Sequence, residues 1–303
     1  MSDLAIETHA LSKRYGTLAA LDRVNIHVER GSIYGFLGRN GAGKTTAIRI
    51  LAGLAEPSGG NARVLGFEAG RDRIEILGRT GFVIDKMLLP YMNGRDLLRL
   101  NRGFFPAHSH AQYDALARRY AEALEVPLDR KFRKLSHGNK TKLCLLLALA
   151  QNPELLVLDE PTSSLDPVIT DQLLRVLVED FANDGRTILM SSHHLSEVEK
   201  VADWVGIIDH GRLLLEARLD DIRSNYRRIR VAGEQAPATS PEILTASVSG
   251  GITEYVLCAG EEKFVADLRN NGATVLEVLP MNLSEIFLEL AGRENNVPVE
   301  TMA

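Results

Sequence analysis

Two short stretches of this chain carry residue types whose spacing suits phosphate chemistry. The first is Gly38-Arg39-Asn40-Gly41-Ala42-Gly43-Lys44-Thr45, which fits GxxxxGK[ST] in full. Glycines there let backbone N–H groups converge on phosphate oxygens without a Cβ in the way. Gly38, Asn40, Gly41, Ala42 and Gly43 form the cradle, and the helix start at Lys44, Thr45 and Thr46 adds its positive dipole end. Lys44 can reach the outer phosphates, and the Thr45 hydroxyl suits a divalent cation. The second stretch is Leu155-Leu156-Val157-Leu158-Asp159-Glu160, an apolar run ending in two acids. Carboxylates beside a buried strand are costly unless a cation or hydrogen bonds compensate. That points to Asp159 in a metal shell and Glu160 polarising a water.

Such a loop works only between a strand and a helix. Ile33 to Leu37 reads as the strand and Lys44 to Leu54 as the helix. Further strands are expected at Val24 to Val28, Gly81 to Ile84, Leu155 to Leu158, Thr187 to Met190 and Val205 to Ile208. Helices are expected at Pro167 to Ala182 and Leu195 to Ala202. Strands interleaved with helices imply a mostly parallel sheet covered on both faces. Asp96 to Lys134 lacks strand signals and reads as a helical insertion, with a helix at Gln112 to Leu124. After Asp221 the composition shifts. A loop at Gly233 to Pro241 is followed by a strand at Tyr255 to Ala259 and a helix at Glu262 to Asn270. A strand at Thr274 to Leu279 and a helix at Leu283 to Ala291 come next. With a strand at Arg228 to Val231, these make a small α+β domain.

The motif order resembles the nucleotide-binding domain of ABC transporters, over roughly residues 4 to 220. The resemblance implies an α/β P-loop NTPase cassette with a mixed sheet core, a helical insertion and the small C-terminal α+β domain. The expected boundaries are 1–221 for the ATPase domain (helical subdomain about 86–150), 222–293 for the accessory domain and 294–303 for a tail. Leu135-Ser136-His137-Gly138-Asn139 stands where the family has LSGGQ, departing at His137 and Asn139. Ser136 and Gly138 would then contact a phosphate bound to the opposite subunit. By the same resemblance His193 is the switch histidine on the γ-phosphate, while His194 is a surface residue. Ser163-Ser164-Leu165-Asp166 resembles the D-loop, which places Asp166 at the shared nucleotide interface. Tyr15 resembles the aromatic that stacks on adenine, where a flat ring tolerates any base.

The resemblance implies ATP and Mg²⁺ as ligands and Lys44, Glu160 and His193 as the hydrolytic residues. Thr45, Asp85 and Asp159 would form the metal shell. Partners would be a second copy of the chain or a paralogous cassette, together with separate transmembrane permease subunits. The place of work would be the cytoplasmic side of the membrane, held peripherally, with export favoured by likeness to bacterial drug- and peptide-resistance systems. The composition agrees: 45% hydrophobic and 25% charged residues with a net charge of −5 give no basic footprint for nucleic acid. The longest apolar run, Leu143 to Ala150, is too short to span a bilayer. Cys144 and Cys258 form no CxxC pair, and Cys144 reads as a small core residue.

Asp85 stands where the family usually has glutamine. A carboxylate keeps an oxygen for the metal but, when ionised, cannot donate a hydrogen bond. Asp85→Gln and Asp85→Ala are each expected to change the rate of ATP hydrolysis or of transport. Unchanged rates in both would remove Asp85 from the metal's surroundings.

Overall fold

The computed structural model describes residues 3–84, 91–106, 109–163, 165–179, 182–233 and 240–294. They fall into two compact units, Met1–Glu216 and Ala217–Ala303. In chain order the first unit contains β1 (Leu4–Tyr15), β2 (Leu18–Val24), β3 (His27–Glu29), β4 (Ile33–Leu37), α1 (Lys44–Leu51), β5 (Gly59–Val64), β6 (Phe67–Glu68) and α2 (Arg73–Arg79). It continues with β7 (Thr80–Val83), α3 (Gly94–Arg102), α4 (His110–Ala123), α5 (His137–Ala150), β8 (Leu155–Asp159), α6 (Pro167–Glu179), β9 (Thr187–Ser192), α7 (Leu195–Val198), β10 (Trp204–Asp209) and β11 (Arg212–Arg218).

The central sheet has the order β11-β10-β4-β9-β8-β7, and from β10 to β7 every neighbour is parallel. Its middle strands β4 and β8 are buried along their whole length. This is why they read as unbroken apolar runs in the sequence, as strands covered on both faces do. A second, antiparallel sheet has the order β2-β1-β5-β6, with β3 also paired to β1. Residues from both sheets and from α1, including Ile6, Leu21, Ile48, Val64 and Phe36, share one apolar cluster. Three helices, α3, α4 and α5, form the insertion between β7 and β8.

Several elements differ from expectation. The strand expected at Val24 to Val28 is interrupted. Thr8 places its hydroxyl between the chain's two halves there, donating to the Val24 carbonyl at 3.0 Å and accepting from the Ile26 N–H at 2.8 Å. The helix after the glycine loop stops at Leu51, one turn early, because Gly53 takes a left-handed φ of 66°. The expected helix from Leu195 covers only Leu195–Val198. The long strand β1 was not expected at all, since its apolar residues Ala5, Ile6 and Leu11 do not alternate regularly.

The second unit contains α8 (Leu219–Asn225), β12 (Arg227–Ala232), β13 (Ile243–Ser249), β14 (Ile252–Leu257), α9 (Glu261–Asn270), β15 (Val275–Pro280) and α10 (Leu283–Glu294). Its antiparallel sheet has the order β13-β14-β12-β15. One face buries Ile229, Val231, Tyr255 and Leu257 against Val265 and Phe264 of α9. Residues Arg230, Glu254 and Glu277 form a cross-strand ion row, with N–O distances of 2.9 and 3.3 Å. Strand β13 was also missed, because its residues Thr245, Ala246, Ser247 and Ser249 carry little apolar signal.

Strand β4 has one tight packing constraint that bears on the glycine loop. Tyr34 is fully buried, and its hydroxyl donates to Glu216 at 2.8 Å. A Cβ on Gly206 of β10 would lie 2.1 Å from that hydroxyl. Gly206→Ala is therefore expected to displace Tyr34 and lower the stability of the first unit by about 1–3 kcal/mol. Denaturant unfolding followed by the near-ultraviolet signal checks this, and an unchanged midpoint contradicts it.

Candidate active site

The register of the central sheet decides where the chemistry gathers. Leu37 of β4 lies beside Ser192 of β9, and Ser191 of β9 lies beside Asp159 of β8. Three parallel strands thus end at one level. The glycine loop, Ser192-His193 and Asp159-Glu160 all leave the sheet at its carboxyl edge, where α/β sheets bind ligands.

The loop from Gly38 to Thr45 takes a shape only glycine allows at two positions. Gly41 and Gly43 have φ of 85° and 115°, in the left-handed region and beyond it. At Gly43 a Cβ would also come within 2.6 Å of the Ala20 carbonyl oxygen. Gly43 sits at the N-cap of α1, which no side chain caps. Its amides therefore face the cleft, the usual arrangement for an anion. Lys44 is 5% exposed. Its Nζ donates to the carbonyls of Gly38 at 2.6 Å and Arg39 at 3.2 Å, and lies 3.0 Å from Glu160 Oε1.

Asp159 is 4% exposed and held by two hydroxyls. Thr45 donates to its Oδ2 at 2.8 Å, and Ser191 donates to its Oδ1 at 2.7 Å. The Ser191 hydroxyl also accepts from the Glu160 N–H at 3.0 Å, so one buried serine orients both acids. Glu160 has a left-handed φ of 50°. Its Oε2 lies 2.6 Å from His193 Nδ1. Oε1 faces Lys44 as a charge contact without an aligned hydrogen bond. Burial is the largest influence on this carboxyl and works against ionisation. Lys44 and then His193 together outweigh it, so the group is held below the usual carboxylate range.

Lys44, Thr45, Asp159, Glu160 and His193 line a cleft of about 910 Å³, together with Tyr15, Asn40, Gly41 and Thr46. Tyr15 ends β1 and is 48% exposed at the cleft, so it is not a core residue. Other expected residues stand elsewhere. Gly38 and Ala42 shape the loop from beneath, since a Cβ on Gly38 would lie 2.3 Å from the Ile208 carbonyl oxygen and Ala42 is buried. Ser136 is the exposed N-cap of α5, accepting from the Asn139 N–H at 3.3 Å, and neither it nor Gly138 lines this chain's cleft. Asp166 caps α6, accepting from the N–H groups of Val168 and Ile169 at 3.1 Å. Asp85 and Ser164 lie outside the described residues. The ring of His194 lies 3.9 Å from that of His193 but outside the cleft's lining.

The sequence reading missed Ser191, although it stands directly before the Ser192-His193 pair. It also missed the His210 turn and the α5 residues Lys140 and Thr141, which line the same cleft. Cys144 lines it too, although it is 7% exposed and burial pushes its thiol up to about 11.

A buried phosphate-loop lysine, a capped pair of acids and a histidine on the second acid are together a nucleotide-hydrolysis geometry. The family model for ABC transporters matches residues 21–163 of the chain. Over 229 residues the chain is 39% identical to the bacitracin transport ATP-binding protein BcrA of Bacillus licheniformis, covering 74% of this chain and 72% of that one. The chain belongs to the ABC transporter family. It is the family's ATP-binding, ATP-hydrolysing subunit. It is also 33% identical to the Nod factor export ATP-binding protein I of Sinorhizobium fredii (strain NBRC 101917 / NGR234) over 97% of this chain and 88% of the relative, so likeness extends through both units. Among solved structures, the ATP-binding subunit of an ABC transporter superposes with a TM-score of 0.67 at 28% identity, covering 72% of this chain and 92% of that one. Among the described residues no helix is long and apolar enough to cross a membrane.

The environment of Glu160 gives a pH dependence. Its folded carboxyl titrates below the unfolded one. Its contribution to stability is therefore complete above the unfolded value of about 4.3 and is lost as pH falls through the folded value. The stability difference between the native chain and Glu160→Gln is expected to shrink progressively as pH falls below about 5. Melting curves from neutral pH into the acid range check this, and a pH-independent difference contradicts it.

Proposed function

We propose that two copies of the chain, or this chain and a paralogous cassette, close around two ATP molecules. Each nucleotide is held by Lys44 and its loop on one chain and by Ser136 and Gly138 on the other. Tyr15 carries the adenine, and the amides of Gly41 to Thr46 with the Lys44 ammonium hold the phosphates. Glu160 orients and deprotonates the attacking water, while His193 holds Glu160 on one side and the γ-phosphate on the other. Asp166 stands at the junction between the two chains. Catalysis is positioning and charge stabilisation, which is most of what phosphoryl transfer requires.

The observation that carries this reading is Glu160 held between Lys44 at 3.0 Å and His193 at 2.6 Å at the sheet's carboxyl edge. The exposed Ser136 cap, outside its own chain's cleft, supports a phosphate contact made in trans. The Ser136 side chain is exposed at the head of a fourteen-residue helix, an end suited to an anion, and His137 and Lys140 of the same turn line the cleft.

Mg²⁺ fits the donor set. The Thr45 hydroxyl and the Asp159 carboxylate are adjacent hard oxygen donors, 2.8 Å apart. Among the described residues no group of three His, Cys, Asp or Glu side chains could hold a metal ion alone. Thr45 and Asp159, with Asp85 as the expected third protein group, would hold Mg²⁺ with phosphate oxygens and water completing its shell. The ion supplies charge neutralisation on the phosphates.

The mechanical output passes to separate membrane-spanning permease chains on the cytoplasmic face, to which this chain binds peripherally, and the direction of transport is export. The Nod factor export relative supports that direction. Glu160→Gln is expected to lower ATP turnover about 10²–10⁴-fold while leaving ATP binding intact. Turnover within a few-fold of the native rate would remove Glu160 from the reaction.

A further inference from the structure

The turn joining β10 to β11 is fastened to the phosphate loop on one side and to β2 on the other. The Gly211 N–H donates to the Ala42 carbonyl at 2.9 Å, and the Asp22 N–H donates to the Gly211 carbonyl at 2.8 Å. All three segments meet at Ala20. A Cβ on Gly43 would lie 2.6 Å from the Ala20 oxygen, and one on Gly211 would lie 2.9 Å from it. Two residues before Ala20, at the start of β2, Leu18 pairs with Tyr15. Following β2 from Leu18 to Ala20 therefore leads from the exposed aromatic ring to the phosphate loop. With a base on Tyr15 and the outer phosphates on the loop, a ribose and first phosphate would span this stretch.

His210 opens that turn. Its φ of 44° is left-handed, a conformation in which histidine is enriched among non-glycine residues. The side chain is 72% exposed and lines the cleft alongside Ala20, Asn40 and Tyr15. Its ion-pair contact is with the Asp209 carboxylate at 3.8 Å, which is too long for a hydrogen bond. The backbone next to His210 is thus fixed, and the exposed imidazole stands at the cleft with no hydrogen bond to Asp209.

We propose that His210 is a nucleotide-binding residue whose imidazole N–H donates to the ribose–α-phosphate portion of ATP. This rests on the reading of the cleft as the ATP site and adds a residue to it. ADP shares that portion, so His210 sets affinity for both nucleotides alike and takes no part in sensing the γ-phosphate.

The test is calorimetric titration of the full chain with ADP and with a non-hydrolysable ATP analogue. His210→Gly removes the side chain while accommodating the left-handed backbone. His210→Asn keeps a shorter donor. The expected result is a loss of about three- to tenfold in affinity for both ligands in His210→Gly, the worth of one hydrogen bond. His210→Asn should fall between, and the melting temperature without nucleotide should stay unchanged. Affinities within twofold of native for both ligands overturn the proposal, and a loss confined to the ATP analogue overturns the assigned contact. Lys44→Ala separates the two readings: if it binds both ligands as the native chain does, the cleft itself is not the nucleotide site.

Discussion

A carboxylate buried at the end of an apolar strand organises this molecule. Asp159 follows four residues of β8 that are excluded from solvent, and an isolated charge there would be costly. It is kept by two hydroxyls, one from Thr45 at the start of α1 and one from Ser191 at the end of β9. Those bonds require β4, β9 and β8 to end level, which their parallel register provides. The glycine loop, the second acid and the histidine then have fixed places. Ser191 extends the constraint by holding the Glu160 N–H, so the backbone that presents Glu160 depends on the same hydroxyl.

The loop's own chemistry follows from its backbone. Gly41 and Gly43 turn through conformations closed to other residues, which gathers amides at the head of α1. Lys44 is drawn under the loop by the carbonyls of Gly38 and Arg39 and faces Glu160. Its charge is therefore placed before any anion arrives, and a polyphosphate meets a prepared field. The price is a buried cation and a part-buried anion held close together, and the attraction of Glu160 to Lys44 and His193 outweighs its burial.

The parts of this site that were legible in the sequence are those whose chemistry is local. Gly38 to Thr45 and Asp159-Glu160 declare themselves because each is a contiguous string with a physical purpose. Strands β4 and β8 were readable because burial on both faces leaves unbroken apolar runs. The antiparallel strands β1 and β13 were not, because one half-exposed face dilutes their pattern with polar residues. Ser191 and His210 were missed for another reason. Their roles come from neighbours 31 residues away or more across the sheet, as with Ser191 and the two acids, and no local spacing announces such a contact. The break at Asn25 and Ile26 belongs to the same class, since it is set by Thr8 on another strand.

In the proposed arrangement one chain holds half of each working site, with Ser136 serving a nucleotide bound to its partner. The most direct measurement is ATP turnover per chain as a function of protein concentration, with molecular mass followed on the same samples. Turnover per chain is expected to climb with concentration and to level off as the mass doubles in the presence of ATP. A rate per chain that stays constant down to concentrations where only single chains are present would contradict it.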